Sequence, residues 1–298
     1  MPEPRGPADI STMNNSAAAL DLDAYFARVG YAGPRAATLE TLRTLHAKHA
    51  ATIPFENLNP LAGWPVHLDV TSVEKKLVRG GRGGYCFEQN LLFSHVLRAL
   101  GFAVTDLAAR VLWRSRTDDD IRPRTHMLLL VDVEGEPHIA DVGFGGQSLT
   151  GPLRFVTDVE QATPHEPFRL RRLEGTPQEE YKLQALVGKF WKTLYRFDLQ
   201  PQLGPDFEMA NHYLCTSEQS HFRSSLLAAR ALPDRRYGLA NNFLSTHHLK
   251  GPSERRAVKS IPEMRRVLED VFGITLPQGA EEQAQLDGAI ARVCDLPR

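Results

Sequence analysis

The chain has 298 residues, of which 42% are hydrophobic and 24% charged, with a formal net charge of −1. That length suggests two domains, with one large domain or three small segments as alternatives, and enough core to enclose a cleft. The near-neutral balance excludes the global basic field that nucleic-acid binding needs, and no apolar run is long enough for a membrane span.

Met1–Leu20 lacks the long apolar stretch of a signal peptide and reads as a poorly ordered extension. Helical spacing starts at Asp21–Val29 and returns in Thr38–Thr52, with Gly30 and Gly33-Pro34 between them. Thr38 is placed to cap the second helix, without a capping box. Two prolines fence Ile53–Pro60 as a loop, and Ser72–Val78 reads as a short helix. Arg79-Gly80-Gly81-Arg82-Gly83-Gly84 is a glycine-rich run leading straight into a strong helix, Cys86–Leu100, with Gly101 as its stop. The period then changes. Ala103–Trp113, His126–Val133 and His138–Phe144 read as strands, with Glu134–Pro137 as a turn and Arg114–Asp120 as a solvated loop. Tyr181–Val187 and Phe190–Leu199 read as a hairpin around Gly188. Ser220–Ala231 fits a helix or a strand-flanking loop, and Ser260–Phe272 and Glu281–Val293 fit helices.

The chain has three cysteines, Cys86, Cys215 and Cys294, far apart and without a CxxC pair. A disulfide framework or a cysteine zinc site is not expected, no metal is called for, and the usage suits a reducing cytosol. Cys86 stands out because it opens a helix. The positive end of the helix dipole favours a thiolate there, and the unpaired N–H groups of the first turn can stabilise an oxyanion. A free cysteine is equally often a small buried hydrophobe.

A thiolate nucleophile wants a base, and the base wants an orienting group. His126 opens an apolar strand, and Asp141 lies in another, where an unpaired carboxylate would be costly. If Glu134-Gly135 is a two-residue turn, Val133 opposes Glu136, Leu128 opposes Asp141 and His126 opposes Gly143. His126 and Asp141 then share a face as diagonal neighbours, about 7–8 Å apart by ordinary strand geometry. Gly143 would leave room for the imidazole to tilt.

Arg79 to Asn90, Ile53 to Leu58, Thr125-His126-Met127 and Asp141-Val142-Gly143-Phe144-Gly145 together resemble the motifs of the arylamine N-acetyltransferase family, in the family's order. Leu194 to Phe197 and Asn211 to Phe222 also fit, so the resemblance runs from about Asp21 to near the C-terminus. It implies an α+β fold: a helical N-terminal domain (21–101), a central β-barrel-like domain (102–210) and a C-terminal α/β lid (211–298), preceded by the extension 1–20. It also implies a cysteine-protease-like, transglutaminase-type core. By carry-over Cys86 is the acyl acceptor, His126 the acid/base and Asp141 its orienter. Thr125, Phe144, Gly145 and Phe222 would line the substrate site.

The activity so implied is acetylation of an arylamine, hydrazine or arylhydroxylamine through an acetyl-cysteine. Acetyl-CoA is the co-substrate, with no permanently bound cofactor. A cytoplasmic monomer or homodimer is expected, without nucleic-acid or membrane partners. The same residues also suit an amide synthase fed by a carrier-protein thioester, or a cysteine hydrolase; a non-catalytic CoA- or drug-binding protein would not need the triad. Cys215-Thr216-Ser217-Glu218 departs from the family pattern beside the lid, which bears on acceptor preference. Arg79, Arg82 and Arg223 are candidate phosphate ligands but are more often surface or structural ion pairs.

Overall fold

The computed structural model describes residues 20–118, 120–176 and 179–295. Apart from Leu20, the expected extension lies outside them. Helix α1 (Leu22–Val29) begins on the Asp21 carboxylate, which accepts the Ala24 N–H, and buries Tyr25, Phe26 and Val29. Helix α2 (Leu39–Thr52) begins on Thr38, whose hydroxyl accepts the Thr41 N–H at 3.3 Å. The expected loop at 53–60 is instead strand β1 (Phe55–Glu56) and helix α3 (Leu58–Ala62). Pro60 sits in the first turn of α3, where no helical N–H is required. The short helix expected at 72–78 starts earlier, on the Asp69 cap, as α4 (Val70–Glu74). It then widens into a π-helical turn over Lys75–Arg79. Helix α5 (Cys86–Ala99) follows the glycine run.

A seven-stranded antiparallel sheet comes next, in spatial order β5-β4-β3-β2-β8-β7-β6. Its strands are β2 (Ala103–Val111), β3 (Arg124–Val133), β4 (Glu136–Ala140), β5 (Leu153–Arg154), β6 (Phe168–Arg172), β7 (Glu180–Val187) and β8 (Phe190–Asp198). After β5 the chain bridges back to β6 through Thr157↔Leu170 and Gln161↔Phe168, which nearly closes the sheet into a barrel. The β3–β4 turn is the two-residue Glu134-Gly135. Both residues have positive φ (57 and 85), the type I′ geometry that matches strand twist. Val133 pairs with Glu136 and Leu129 with Ala140, which is the register read from sequence.

Strand β3 is buried on both faces. Leu128 points into the barrel core with Leu107, Leu183 and Leu194. Met127, Leu129 and Val131 join the core beneath α5, with Phe93 and Val96. Two-sided burial explains why this strand reads as a continuous apolar run rather than an alternating one.

Helix α6 (Gly204–Thr216) was not read from sequence, and it straddles the expected boundary at 210. Helix α7 (His221–Ser224) follows. A second antiparallel sheet has the order β1-β9-β10-β11-β12. It is built from β9 (Leu227–Leu232), β10 (Arg235–Ala240), β11 (Phe243–His248) and β12 (Glu254–Ala257). Strand β1 therefore lends an N-terminal edge to a C-terminal sheet. The helix expected at 260–272 is α8 (Ile261–Arg266) followed by a π-helical turn, Val267–Val271. The last helix, α9 (Ala280–Cys294), packs with α8 and with Leu58 and Leu61 of α3. Among the described residues all three cysteines are free, and no helix is long and apolar enough to cross a membrane.

Two histidines lie in the core on α2. His49 is hydrogen-bonded to Tyr25 (2.9 Å) and Gln89 (2.7 Å), and His46 to the Asp141 N–H (3.2 Å). Burial depresses them to about 3 for His46 and about 4 for His49, so both are neutral. Below the ordinary value near 6.5 the unfolded chain binds protons that the fold excludes, so stability falls as pH falls toward 4. Two such protons give a slope approaching about 2.7 kcal/mol per pH unit. Denaturant unfolding at pH 7, 6 and 5 should show this steepening loss; equal stability at pH 7 and 5 would contradict it.

Candidate active site

The glycine run lets the chain approach α5 where side chains do not fit. A Cβ on Gly83 would fall 2.1 Å from the Pro54 carbonyl oxygen. At the helix start the Glu88 carboxylate accepts the Tyr85 N–H (3.1 Å) and pairs with Lys76 (2.6 Å). Arg82 is spent on the buried Glu56 (2.7 Å), which also accepts the Leu58 N–H. Arg79 pairs with Asp21 and Glu74, and Arg223 donates to the Thr216 carbonyl. All three arginines that the sequence offered as phosphate ligands therefore have structural partners.

Strand β4 stops at Ala140, half the length of β3, and frees the edge of β3 beside residues 125–128. The start of α5 takes over that edge. Asn90 Nδ2 donates to the Met127 carbonyl at 2.7 Å, and Cys86 Sγ lies 3.5 Å from the Thr125 carbonyl oxygen. Carbonyls two residues apart on a strand point the same way, so one helix turn meets both. His126 sits between them, paired on its other side with Ala109 of β2.

Past Ala140 the strand pairing expected for Asp141 and Gly143 does not continue; the chain turns instead. Gly143 does not oppose His126. It lies against α5, where a Cβ would be 2.7 Å from Asn90 Nδ2 and 2.9 Å from Cys86 Cα. The glycine makes room for the cysteine helix rather than for the imidazole. Asp141 nevertheless keeps the face that the register gave it, and its Oδ2 lies 2.7 Å from His126 Nε2.

Asp141 is fully buried and accepts four hydrogen bonds. Asn90 Nδ2 (2.9 Å) and the Gly143 N–H (2.9 Å) reach Oδ1; His126 Nε2 (2.7 Å) and Tyr195 Oη (3.0 Å) reach Oδ2. Asn90 Oδ1 accepts the Val142 N–H at 3.0 Å, so this one amide ties α5, β3 and the turn after β4 together. Burial raises the Asp141 carboxyl, but the His126 charge and the hydrogen bonds outweigh it and hold the group below its ordinary range. Burial likewise works against a charged His126, but Asp141 and then the neighbouring Cys86 thiol overcome it and raise the imidazole to about 10. Tyr195 is pushed well above its ordinary value by burial and Asp141, so it stays a hydrogen-bond donor. With Nε2 committed to Asp141, Nδ1 is the imidazole nitrogen left for the thiol.

Cys86 and His126 open into a cleft of about 940 Å³ between the barrel and the second sheet. Thr125, Phe144, Gly145 and Phe222 line it as well, while Asp141 lies behind His126. The Phe144 ring stands edge-on to His126 (centroids 5.2 Å apart, 88°). A Cβ on Gly145 would touch the Phe55 ring at 3.4 Å, and Phe222 packs on Tyr85 (5.3 Å) and Phe55 (6.1 Å). Sequence reasoning passed over Asn90 and Tyr195 as functional residues. Asn90 carried a signal, since it lies four residues after Cys86 and so on the same helix face. Tyr195 lay in a stretch that fits the family's motifs, but its place here depends on the pairing of β8 with β2, which sets it two strands away from His126. No cluster of three or more metal-ligating side chains occurs among the described residues.

Residues 38–280 match the sequence profile of the N-acetyltransferase family. The chain is 45% identical over 254 residues to an arylamine N-acetyltransferase of Escherichia coli, covering 85% of this chain and 88% of that one. Its fold superposes on the arylamine acetyltransferase of Mycobacterium smegmatis with a TM-score of 0.87 at 37% identity, covering 93% and 100% of the two chains. The Mycobacterium marinum arylamine N-acetyltransferase in complex with CoA gives 0.86 at 36% identity, covering 92% and 100%.

Replacing Asn90 by Ala strands the Met127 carbonyl and the Val142 N–H and strips Asp141 of one donor. Leaving such groups unsatisfied costs about 1–3 kcal/mol each before relaxation, so Asn90→Ala should destabilise the fold by at least about 2 kcal/mol in urea titration. A change within experimental scatter would remove Asn90 from this role.

Proposed function

The chain belongs to the arylamine N-acetyltransferase family. From that premise we propose that it moves an acetyl group from acetyl-CoA to an arylamine, hydrazine or arylhydroxylamine through a thioester on Cys86. The observation that carries the reading is the joining of Cys86, His126 and Asp141 at one end of a large cleft.

In this reading His126, held charged by Asp141, faces the Cys86 sulfur, the nucleophile. The sulfur attacks the acetyl carbonyl, and N–H groups at the start of α5 stabilise the oxyanion, since first-turn donors have no helical partner. As the tetrahedral intermediate collapses, the C–S bond to CoA breaks and His126 supplies the proton to the departing thiolate. The now neutral imidazole accepts a proton from the incoming amine as its nitrogen attacks the thioester. Weakly basic amines suit this step because they are unprotonated at neutral pH. Thr125, Phe144, Gly145 and Phe222 form the acceptor end of the cleft.

The arrangement is that of a cysteine-protease-like core. The helical segment 21–101 bears the nucleophile, the barrel 102–210 bears the base and its orienter, and 211–298 forms the lid. A cytoplasmic setting fits the three free thiols.

Incubation with acetyl-CoA and no amine should add one acetyl group to the intact protein, on Cys86, and none to Cys86→Ala. Initial rates at several fixed amine concentrations should give parallel double-reciprocal lines. An active protein that carries no acetyl group, or lines that intersect, would refute the thioester route. Tyr195→Phe removes one of the four donors to Asp141 and should lower turnover roughly tenfold, the scale of one hydrogen bond to a charged group. Unchanged turnover would show that this donor is dispensable.

A further inference from the structure

The seventeen residues from Tyr181 to Phe197 contain four cations, Lys182, Lys189, Lys192 and Arg196, and no Asp or Glu, although the whole chain has 36 acids against 35 Lys and Arg. They form the β7–β8 hairpin. Its tip is the two-residue turn Gly188-Lys189, between the paired residues Val187 and Phe190. Only Gly188 has a positive φ there (64), the pattern of a type II′ turn. The tip is remote from the chemistry. None of residues 186–192 lines the cleft, and Phe190 lies on the order of 15 Å along β8 from Tyr195 at ordinary strand spacing.

The tip places aromatic rings and cations in the open. Phe190 is 69% exposed, and Lys189 and Lys192 are exposed on either side of it. The Lys192 ammonium lies 5.6 Å from the centre of the Phe190 ring, and the Arg169 guanidinium lies 4.2 Å over Trp191. Phe190 and Trp191 are consecutive strand residues, so their rings point to opposite faces of the hairpin. Val159, between the bridges Thr157↔Leu170 and Gln161↔Phe168, adds exposed apolar surface beside Arg169. Arg169, Lys189 and Lys192 form no ion pair among the described residues; Arg169 Nε donates to Gln184 at 2.8 Å. Of the two acids near Arg169, Asp158 is taken by Arg171 at 2.6 Å, which leaves Glu160 against three cations.

A hairpin tip with a ring on each face offers no groove for a peptide. Its makeup is that of an interfacial anchor, in which aromatic side chains settle at the headgroup level and basic residues meet anionic lipid. We infer that the β7–β8 tip docks the protein on an anionic phospholipid surface. Phe190 and Trp191 enter the headgroup layer, and Lys189, Lys192 and Arg169 face the lipid phosphates. The contact is peripheral and involves no membrane span. Each cation near such a surface strengthens partitioning about fivefold, so three give on the order of a hundredfold over a neutral surface.

The test is co-sedimentation of the full chain with phosphatidylcholine vesicles, with and without about one-third phosphatidylglycerol. The anionic vesicles should retain the protein at least about tenfold better than the neutral ones. Raising salt from about 0.1 M to about 1 M should release it, because the screening length falls from about 10 Å to about 3 Å. Reversing both lysines, Lys189→Glu with Lys192→Glu, should erase the preference for anionic vesicles, and Phe190→Ser should weaken retention severalfold. Both variants should unfold at the temperature of the unmodified protein, since the changed side chains sit at an exposed turn. Tryptophan emission should shift to the blue on anionic vesicles, and Trp191→Phe should remove that shift, leaving Trp64 and Trp113 unresponsive. Equal retention on neutral and anionic vesicles, or full retention of both variants on the anionic ones, overturns the inference. So does capture on polyglutamate resin without capture on anionic vesicles, which would assign the tip to an acidic polypeptide.

Discussion

A buried carboxylate with no room for error organises this molecule. Asp141 has no contact with solvent, and an unpaired charge at such a position would be prohibitive. The fold answers with four donors drawn from three elements and a turn: Asn90 from the cysteine helix, His126 from β3, Tyr195 from β8 and the Gly143 N–H from its own turn. Each donor fixes the position of its element relative to the carboxylate. The same contacts that make the charge tolerable also set Cys86 beside His126. Stability and the candidate chemistry therefore rest on one network, and damage to one is damage to the other.

The network explains features that look unrelated. Strand β4 is short because its continuation would occupy the edge of β3 that α5 needs. Gly143 is a glycine because the turn passes against Cys86 and Asn90 with no space for a Cβ. The neutral core histidine His46 accepts the Asp141 N–H and so steadies the main chain of that turn from below. The small residues at 229, 238 and 245 keep the opposite wall of the cleft low.

Much of this was legible before any coordinates. The glycine run, the helix beginning at Cys86 and the two-residue turn at Glu134-Gly135 are local signals, and the structure keeps them. The hairpin register placed His126 and Asp141 on one face by counting alone. Three things were not legible, each for a physical reason. The role of Gly143 depended on where β4 ends, which is decided by helix packing and not by strand propensity. Tyr195 depended on the long-range pairing of β8 with β2, which brings it to Asp141 from 54 residues away in the chain. The second sheet, with its Arg- and Ala-rich strands and one edge supplied by Phe55-Glu56, has little apolar alternation, and α6 begins on Leu203, a residue whose side chain cannot cap a helix. The motif residues were read more readily than the framework that holds them.

If Asp141 is the organising charge, His126 must be its permanent partner. The imidazolium is favoured below the ordinary histidine value and persists until pH rises through the raised value near 10. The direct measurement is an NMR titration of ¹³C-labelled histidines, with the His126 signal identified by its loss in His126→Ala. The signal should stay at the imidazolium position through pH 8 and move only toward pH 10. A His126 signal that titrates near pH 6.5 would contradict the account.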